Sequence, residues 1–318
     1  MVPEQLTKQF DHANKKTMII SAKTSLVGVL GNPINHSLSP TIHNAALQEM
    51  NLNWCYLAIP CTSENLETAL KGLKVINCKG LNITIPHKIK ALKYCTEISS
   101  IAQEVNAVNT LIPNKANGWT GDNTDVKGFL APLISAKKYK YKNVLLMGCG
   151  GSAKAVIAGL IQLNVESIVV INRSKESLYT FLTDIDQNYI QNNCLSSKPK
   201  INGISLKDKD ISEYIKNSDL IINATPIGMM SKDFDQKVPI DEKIWSNLKS
   251  GTTLYDLVYN PRPTKWLKIG VKKDCKVIDG LDMLIAQGAE SLSLWSGIKD
   301  IPIKKMREAA ELHFANIR

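Results

Sequence analysis

The sequence lacks any hydrophobic run that approaches the roughly 20 apolar residues of a transmembrane helix. Its first stretch, MVPEQLTKQFDHANKK, also lacks the apolar core of a secretory signal peptide. We therefore expect a cytoplasmic protein without a membrane partner. Residues 1–22 are polar, and we interpret them as a poorly ordered extension.

Paired cysteine motifs are missing as well. The chain has seven cysteines, an odd number, and none of them forms a CxxC pair. In a protein without a signal peptide, this usage is typical of reduced thiols and argues against a disulfide framework. His36, His43 and His87 each stand alone in the sequence, so we expect no metal site.

Positive charge is in excess, but the chain has no basic block. There are 39 Lys and Arg residues against 29 Asp and Glu residues, which gives a net charge of +10. Such a charge suits nucleic acid, a membrane surface or anionic small molecules. The lysines are scattered, and neither an RNA-binding aromatic signature nor a zinc-finger spacing is present. A nucleic-acid-binding protein would therefore rest on net charge alone, and we expect no nucleic-acid partner.

What the sequence does contain is a regular alternation of apolar runs and helical patterns. The predicted strands are 25–30, 54–59, 80–85, 107–112, 143–147, 167–171, 219–223, 253–258 and 276–279. The predicted helices are 40–50, 63–75, 126–137, 151–163, 174–186, 263–270, 281–296 and 303–315. Several of the strands are continuous apolar runs, which is typical of buried parallel strands. The alternation predicts an α/β fold with mostly parallel sheets.

The length and one lysine-rich stretch predict two units. A chain of 318 residues is long enough for about two domains. The stretch SAKKYKYKN at 135–143 resembles a hinge, although the helix that begins near 126 fits either side. We place the first unit at 23–125 and the second at 126–280. The helices within 281–318 could pack on either unit, and we expect them on the first.

A glycine-rich turn joins a strand to a helix in NVLLMGCGGSAKAVIAGL, residues 143–160. Gly148, Gly150 and Ala153 fit the G-x-G-x-x-G/A fingerprint. The first glycine makes the turn, the second lets the backbone approach a pyrophosphate, and the third position is small so that helix and strand pack closely. The free N–H groups of the helix N-terminus then face the phosphates. This context predicts a dinucleotide-binding unit.

The end of the following strand distinguishes NAD from NADP. An NAD site usually has an Asp or Glu there to bind the ribose 2′-hydroxyl. This chain instead has Asn172, Arg173 and Ser174, followed by Lys175. The planar guanidinium of Arg173 suits a 2′-phosphate, so the sequence favours NADP as the cofactor.

The stretch NITIPHK, residues 82–88, ends a strand at Pro86 and then presents a lysine. Lys88 is interpreted as a surface residue by default. Asp125 ends the motif GDNTD before a helical pattern, where a helix N-cap is one interpretation. The other is a proton-transfer pair, because a carboxylate close to a lysine holds it in place with its charge.

Two serines in HSLSPTIHN occupy the start of a predicted helix. Ser39 is predicted to be its N-cap, and Pro40 suits the first helical position. Ser37 has no predicted capping duty. Two hydroxyls at a helix N-terminus also form a suitable receptor for a carboxylate.

Taken together, these segments resemble the shikimate dehydrogenase family from about residue 25 to the C-terminus. The similar segments are GNPINHSLSPTIHN, GLNITIPHK, AVNTL, GDNTD, MGCGGSAKA, NRS, NATPIGM, YDLVYNP and DGLDMLIAQGAE. The resemblance implies an N-terminal mixed-sheet substrate domain over 23–125. It also implies a C-terminal doubly wound Rossmann-type domain over 126–280, with a cleft between the two.

The resemblance also implies residue roles and a reaction. Lys88 and Asp125 would be the catalytic pair in the reversible, NADPH-dependent reduction of 3-dehydroshikimate. The residues that would bind the substrate are Ser37, Ser39, Asn82, Thr84, Asn109, Tyr259 and Gln287. The residues that would bind NADP are Gly148, Cys149, Gly150, Gly151, Ser152, Asn172, Arg173, Ser174, Leu257 and Gly280.

The chain departs from the family in one place. Members often have a second arginine three to four residues after Arg173, and this chain has Glu176 and Ser177 there. Selectivity for NADP over NAD could therefore be looser. The alternatives that remain open are a quinate/shikimate dehydrogenase that uses NAD and a non-catalytic NADP-sensing paralogue. We expect a small-molecule substrate and either a monomer or a homodimer.

Overall fold

The computed structural model describes residues 20–116, 118–135, 140–191, 199–230, 234 and 236–317. The predicted extension lies outside these residues except for 20–22, and so does the middle of the predicted hinge, 136–139. The described residues form two six-stranded sheets with helices around them, so the predicted α/β fold class is confirmed. In this part of the chain, every helix is too short or too polar to cross a bilayer.

The first sheet is mixed, as predicted. Its strands are β1 (Ser25–Gly31), β2 (Trp54–Pro60), β3 (Gly80–Ile83), β4 (Glu97–Ile98), β5 (Thr110–Pro113) and β6 (Trp119–Asp122). They lie in the order β2-β1-β3-β5-β6-β4. β1 runs parallel to β2 and β3, whereas β5 runs antiparallel to both β3 and β6.

The second sheet is entirely parallel. Its strands are β7 (Asn143–Met147), β8 (Ser167–Asn172), β9 (Lys200–Ser205), β10 (Leu220–Asn223), β11 (Thr253–Asp256) and β12 (Lys276–Ile278). The order β12-β11-β10-β7-β8-β9 puts the first strand of the unit in the middle. This is the strand order of a doubly wound Rossmann fold, so the predicted Rossmann-type unit is confirmed.

Helices cover the faces of both sheets. They are α1 (Ser39–Glu49), α2 (Leu66–Val75), α3 (Ser100–Val105), α4 (Asp125–Ser135), α5 (Gly151–Gln162), α6 (Lys175–Gln191), α7 (Ile211–Asn217), α8 (Lys265–Lys272), α9 (Leu281–Ser296) and α10 (Ile303–Ile317). Two short 3-10 turns, Lys90–Tyr94 and Ile244–Asn247, complete the regular structure of the described residues.

The apolar run of β7 is explained by its two covered faces. Val144 and Leu146 face the core that includes α4 and α5. Leu145 and Met147 face a separate core on the opposite side of the sheet. Because successive side chains of a strand point to opposite faces, a strand covered on both sides must be apolar at every position.

The C-terminal helices contact the first sheet. Leu281, Ile285 and Met306 from α9 and α10 share one core with Val27 and Val29 of β1. The indole of Trp295 on α9 also donates a hydrogen bond to the carbonyl of Leu111 in β5, at 3.1 Å. The first sheet is therefore covered by helices from both ends of the described chain.

Several predicted boundaries were wrong. The predicted strands 80–85 and 107–112 are shorter in the structure, since β3 ends at Ile83 and β5 begins at Thr110. Five elements were missed: β4, β6, β9, α3 and α7. β9 is an edge strand with mostly exposed or half-buried side chains, and β4 and α3 are too short to show a period.

Candidate active site

Three loops of the first sheet meet at one edge because β5 runs opposite to its neighbours. β3 leads out of the sheet toward Lys88, β6 leads toward Asp125, and Asn109 precedes the start of β5. Thr110 pairs with Asn82 on one side and with Asp122 on the other. The antiparallel register therefore gathers these polar side chains, although they are distant in sequence.

Lys88 and Asp125 form a largely buried ion pair. Lys88 Nζ lies 2.6 Å from Asp125 Oδ2, and the side chains are 12% and 7% exposed. Asp125 is the first residue of α4, and its backbone N–H donates to the side-chain oxygen of Asn123. The sequence indicated that Asp125 is either a helix N-cap or the partner of Lys88. In the structure its carboxylate contacts Lys88.

The lysine also reaches the glycine-rich loop. Lys88 Nζ donates to Ser152 Oγ at 3.1 Å, and Ser152 is the second residue of α5. A Cβ atom added at Gly151 would lie 3.1 Å from the Cβ of Lys88. The ion pair of the first unit therefore touches the loop of the second.

Asn109 holds Asp125 in place. Its side-chain amide donates to Asp125 Oδ1 at 2.8 Å and to Thr124 Oγ1 at 2.9 Å. Its side-chain oxygen accepts from the backbone N–H of Thr124 at 2.8 Å. Gln287 from α9 lies at the limit of this network, with its oxygen 3.4 Å from the Asn109 amide.

Asn82 is bonded at both ends of its side chain. Its oxygen accepts from the Tyr56 hydroxyl at 2.8 Å, and its amide donates to Ser291 Oγ at 2.9 Å. Thr84 is half-buried beside the same edge. The sequence analysis missed Tyr56 and Ser291. A signal for Ser291 exists, because it lies four residues after Gln287 and so on the same face of α9.

Ser37 and Ser39, at the start of α1, differ from their predicted roles. Ser39 is the first helical residue and not the N-cap, which is Leu38. The Ser37 hydroxyl accepts from the backbone N–H of Ser39 at 3.3 Å, so it does have a capping role. Tyr259 reaches the same helix terminus, where its hydroxyl accepts from the backbone N–H of Leu38 at 3.4 Å.

The buried histidines have structural contacts. His87 bonds through Nε2 to the carbonyl of Cys61 at 2.7 Å. His43 bonds through Nδ1 to the carbonyl of Ser39 and stacks on Tyr56. Burial lowers the pKa of His43 to about 4, so the ring is neutral at physiological pH. Among the described residues, no group of three or more His, Cys, Asp or Glu side chains could hold a metal ion.

The glycine-rich loop has the backbone of a phosphate-binding turn. Gly148 has a φ of 109° and packs against Ala224 and Thr225, a conformation that L side chains rarely adopt. Gly150 precedes α5, and the space where its Cβ would lie is open. Burial raises the pKa of the Cys149 thiol to about 12, which disfavours the nucleophilic thiolate form.

The end of β8 carries an exposed arginine. Within the described part of the chain, the guanidinium of exposed Arg173 has no hydrogen bond or ion pair. The Asn172 amide donates to the carbonyl of Ser174 at 3.1 Å. The Ser174 hydroxyl accepts from the backbone N–H of Ser177 and donates to the Glu176 carboxylate at 2.8 Å.

Leu257 and Gly280 lie against each other at the end of β11. A Cβ on Gly280 would collide with the backbone of Leu257. The buried carboxyl of Asp256 organises this turn, since it accepts from Thr264 Oγ1 at 2.7 Å, Asn223 Nδ2 at 2.9 Å and the backbone N–H of Val258 at 3.1 Å.

The chain is similar to known proteins over most of its length. A family model described as the shikimate dehydrogenase substrate binding domain matches residues 29–111. A second, described as the shikimate 5′-dehydrogenase C-terminal domain, matches residues 280–311. A shikimate dehydrogenase (NADP(+)) of Prochlorococcus marinus is 45% identical over 93% of this chain and 100% of its own. The chain belongs to the shikimate dehydrogenase family.

Solved structures of shikimate dehydrogenases have the same fold. One, in complex with NADP+, is 34% identical with a TM-score of 0.80, covering 93% of this chain and 98% of its own. Another, from Listeria monocytogenes with shikimate and NAD, is 29% identical with a TM-score of 0.79, covering 93% and 99%. The predicted family and the prediction of an NADP-dependent oxidoreductase are confirmed.

Proposed function

We propose that this shikimate dehydrogenase interconverts 3-dehydroshikimate and shikimate with NADP(H), and that Lys88 and Asp125 carry the proton transfer. The observation that supports this most strongly is the position of the Lys88 ammonium. It bonds to Asp125 on one side and to Ser152 of the glycine-rich loop on the other. A proton donor placed between a substrate unit and a dinucleotide loop suits reduction of a carbonyl group.

In this mechanism Lys88 gives a proton to the carbonyl oxygen during reduction and takes it back during oxidation. Asp125 holds the ammonium group by charge, and Asn109 fixes the carboxylate so that it cannot turn away. NADPH supplies the hydride when it is bound. Holding both reactants in one geometry removes much of the entropic barrier of a two-substrate reaction.

The substrate subsites follow from the polar edge of the first sheet. Ser37, Ser39 and Tyr259 surround the N-terminus of α1, where hydroxyl groups and backbone N–H groups favour the shikimate carboxylate. The ring hydroxyls are assigned to four residues of the same edge and of α9: Asn82, Thr84, Asn109 and Gln287.

The described residues fit a dinucleotide phosphate. Backbone N–H groups from Gly148 to Ser152 lie at the start of α5, and the space beside Gly150 is open. Asn172, Arg173 and Ser174 are assigned to the 2′-phosphate, since the guanidinium of Arg173 is exposed and has no partner among the described residues. Leu257 and Gly280 are assigned to the nicotinamide pocket.

The test measures absorbance at the reduced-nicotinamide band with four mixtures: shikimate or quinate, each with NADP or NAD. We expect a rise with shikimate and NADP. A rise mainly with quinate and NAD would contradict the proposed substrate and cofactor. No rise in any mixture, from folded protein that binds NADP, would instead support a sensor. A Lys88→Ala protein that folds and keeps most of its turnover would contradict the role of the lysine.

We also propose the domain boundaries and the setting of the enzyme. The substrate domain comprises 23–125 with 281–318, and the NADP domain comprises 126–280. This assignment is supported by the core that α9 and α10 share with β1. We further propose a cytoplasmic enzyme with reduced thiols that is a monomer or a homodimer. Light scattering coupled to size-exclusion chromatography measures the assembly state.

A further inference from the structure

One buried ammonium group has no part in the proposed chemistry. Lys154 on α5 is only 3% exposed, and it lies two residues beyond Ser152. A buried charge is costly unless it is paired. The Lys154 Nζ is paired with the carboxylate of Asp184 on α6, and it also donates to the carbonyl of Asn106 at 3.4 Å.

The same group joins the two units. Asn106 is the C-cap of α3, has a φ of 50°, and donates from its side chain to Asp184 Oδ1 at 2.9 Å. An ammonium group beside the last carbonyls of a helix is favourable, because that end of the helix carries partial negative charge. Residues from α3, α5 and α6 thus meet in one closed network: Lys154, Asp184 and Asn106.

Asn106 leads directly into the proposed active site. Two residues later, the backbone N–H of Val108 donates to the carbonyl of Lys88 at 2.8 Å. The next residue, Asn109, holds Asp125. The carbonyl of Ala107 accepts from the side chain of Asn123, in the loop before Asp125. The segment 106–109 therefore supports both members of the proposed catalytic pair.

We infer that Lys154 is a positioning residue: with Asp184, it fixes segment 106–109 against α5 and so sets where Lys88 stands relative to the cofactor loop. This inference rests on the proposed function for its kinetic consequences. Among the described residues, the hydrogen bonds of the Lys154 ammonium go to Asn106 and Asp184 and not to Lys88. Lys154 also lies outside the open space beside Gly150. It acts through the segment that it holds.

The main variant is Lys154→Met, which removes the charge and keeps an unbranched side chain. Lys154→Arg keeps the charge and is the rescue variant. Asn106→Gly tolerates the positive φ and keeps the carbonyl, but loses the bond to Asp184. The matched control is Lys142→Met, which removes a lysine from the exposed pair with Glu166 within the second unit.

We expect Lys154→Met to lower kcat about tenfold, because small misplacements of catalytic groups are costly. The Kd for NADPH, measured by fluorescence, should change by less than about threefold, and Lys154→Arg should restore most of kcat. A solvent deuterium isotope effect on kcat should increase, since proton transfer becomes slower. An unchanged kcat with only a lower melting temperature would overturn the inference. So would a weaker Kd at constant kcat, which would assign Lys154 to the phosphate site.

Hydrogen exchange gives a readout that does not depend on turnover. We expect peptides that contain 106–109 to exchange faster in Lys154→Met and Asn106→Gly, and at the wild-type rate in Lys142→Met. Unchanged exchange in both variants would overturn the inference. If Lys154→Met fails to fold, Asn106→Gly alone decides by the same comparison. If the wild-type protein has no turnover, the proposed function is refuted. The exchange result then still tests whether Lys154 fixes segment 106–109.

Discussion

The Lys88 ammonium has partners from both units of the molecule, and each partner restricts it differently. Asp125 supplies charge, whereas Ser152 supplies a neutral oxygen from the loop assigned to the cofactor. Two of the three N–H bonds of the lysine are thereby committed. In the proposed mechanism the third is available for a substrate oxygen. In the proposed mechanism Asp125 holds the ammonium group, and the Asn109 amide holds that carboxylate in turn.

We predict that Asp125→Asn lowers kcat by about 10² to 10⁴, the usual contribution of a positioned proton-transfer group. The KM for shikimate should change much less, because the neutral amide keeps the shape of the site. Steady-state kinetics measure both constants. Asp282→Asn, which removes an exposed ion pair with Arg307, is the control and should have nearly wild-type kinetics. Equal losses in the two variants would contradict the assignment.

The carboxyl of Asp256 is fully buried at the end of β11. Burial is the main cause that raises its pKa to about 7, and the charge of Asp279 adds to it, against the hydrogen bonds from Thr264, Val258 and Asn223. In the unfolded chain the carboxyl loses its proton near pH 4. Between these values the folded state binds more protons, so the stabilising effect of the proton is lost as pH rises from about 4 to about 7.

Asp256→Asn should remove this dependence. Its oxygen still accepts from Asn223 and Val258, and its amide group can donate to the Thr264 oxygen, which in the wild type donates to the carboxyl. We expect the variant to gain about 1 to 3 kcal/mol relative to the wild type between pH 5 and pH 8. Urea unfolding across that range measures it. A constant difference between the two proteins would show that Asp256 does not titrate there.

At the scale of elements, the turn from β8 into α6 carries the residues that we assign to the 2′-phosphate. The Ser174 hydroxyl is committed to Glu176, and this hydrogen bond is the main cause that lowers the pKa of the carboxyl. A negative charge therefore lies beside the residues assigned to the 2′-phosphate. The positive charge of Arg173 favours binding of a 2′-phosphate, whereas the negative charge of Glu176 disfavours it.

We predict that Glu176→Gln tightens NADP binding about three- to tenfold and leaves NAD binding unchanged, because a like charge near the phosphate is removed. Isothermal titration with each dinucleotide gives the two Kd values. Glu213→Gln, in the first turn of α7, is the matched control and should change neither. Tighter binding of both dinucleotides would mean that Glu176 acts on something other than the phosphate.

Elements with two covered faces could be predicted from the sequence, and elements defined by their partners could not. The bounds of β7 were predicted to the residue because every buried position is apolar. Lys88 and Asp125 could be singled out by residue type and motif. Tyr56 could not, since its hydroxyl meets Asn82 only when β2 and β3 flank β1. Ser39 was wrongly predicted as an N-cap because α1 begins one residue earlier than its sequence signal.

At the scale of the whole molecule, the C-terminal helices α9 and α10 complete the hydrophobic core of the first unit. Met306 of α10 is fully buried in the core that includes Val27 and Ile42, far earlier in the chain. Deleting buried methylene groups costs about 2 to 5 kcal/mol, since a cavity adds to the lost burial. α10 therefore stabilises the sheet whose edge carries the proposed substrate residues, although it has none of those residues itself.

We predict that Met306→Ala destabilises the protein by about 2 to 5 kcal/mol, whereas Leu312→Ala, on the same helix but 54% exposed, costs less than about 1 kcal/mol. Urea unfolding measures both. Because the damage lies in the first unit, binding of shikimate should weaken in Met306→Ala before binding of NADP does. Equal weakening of both ligands would show that the two units unfold as one. Loss of NADP binding alone would contradict the assignment of α10 to the substrate unit.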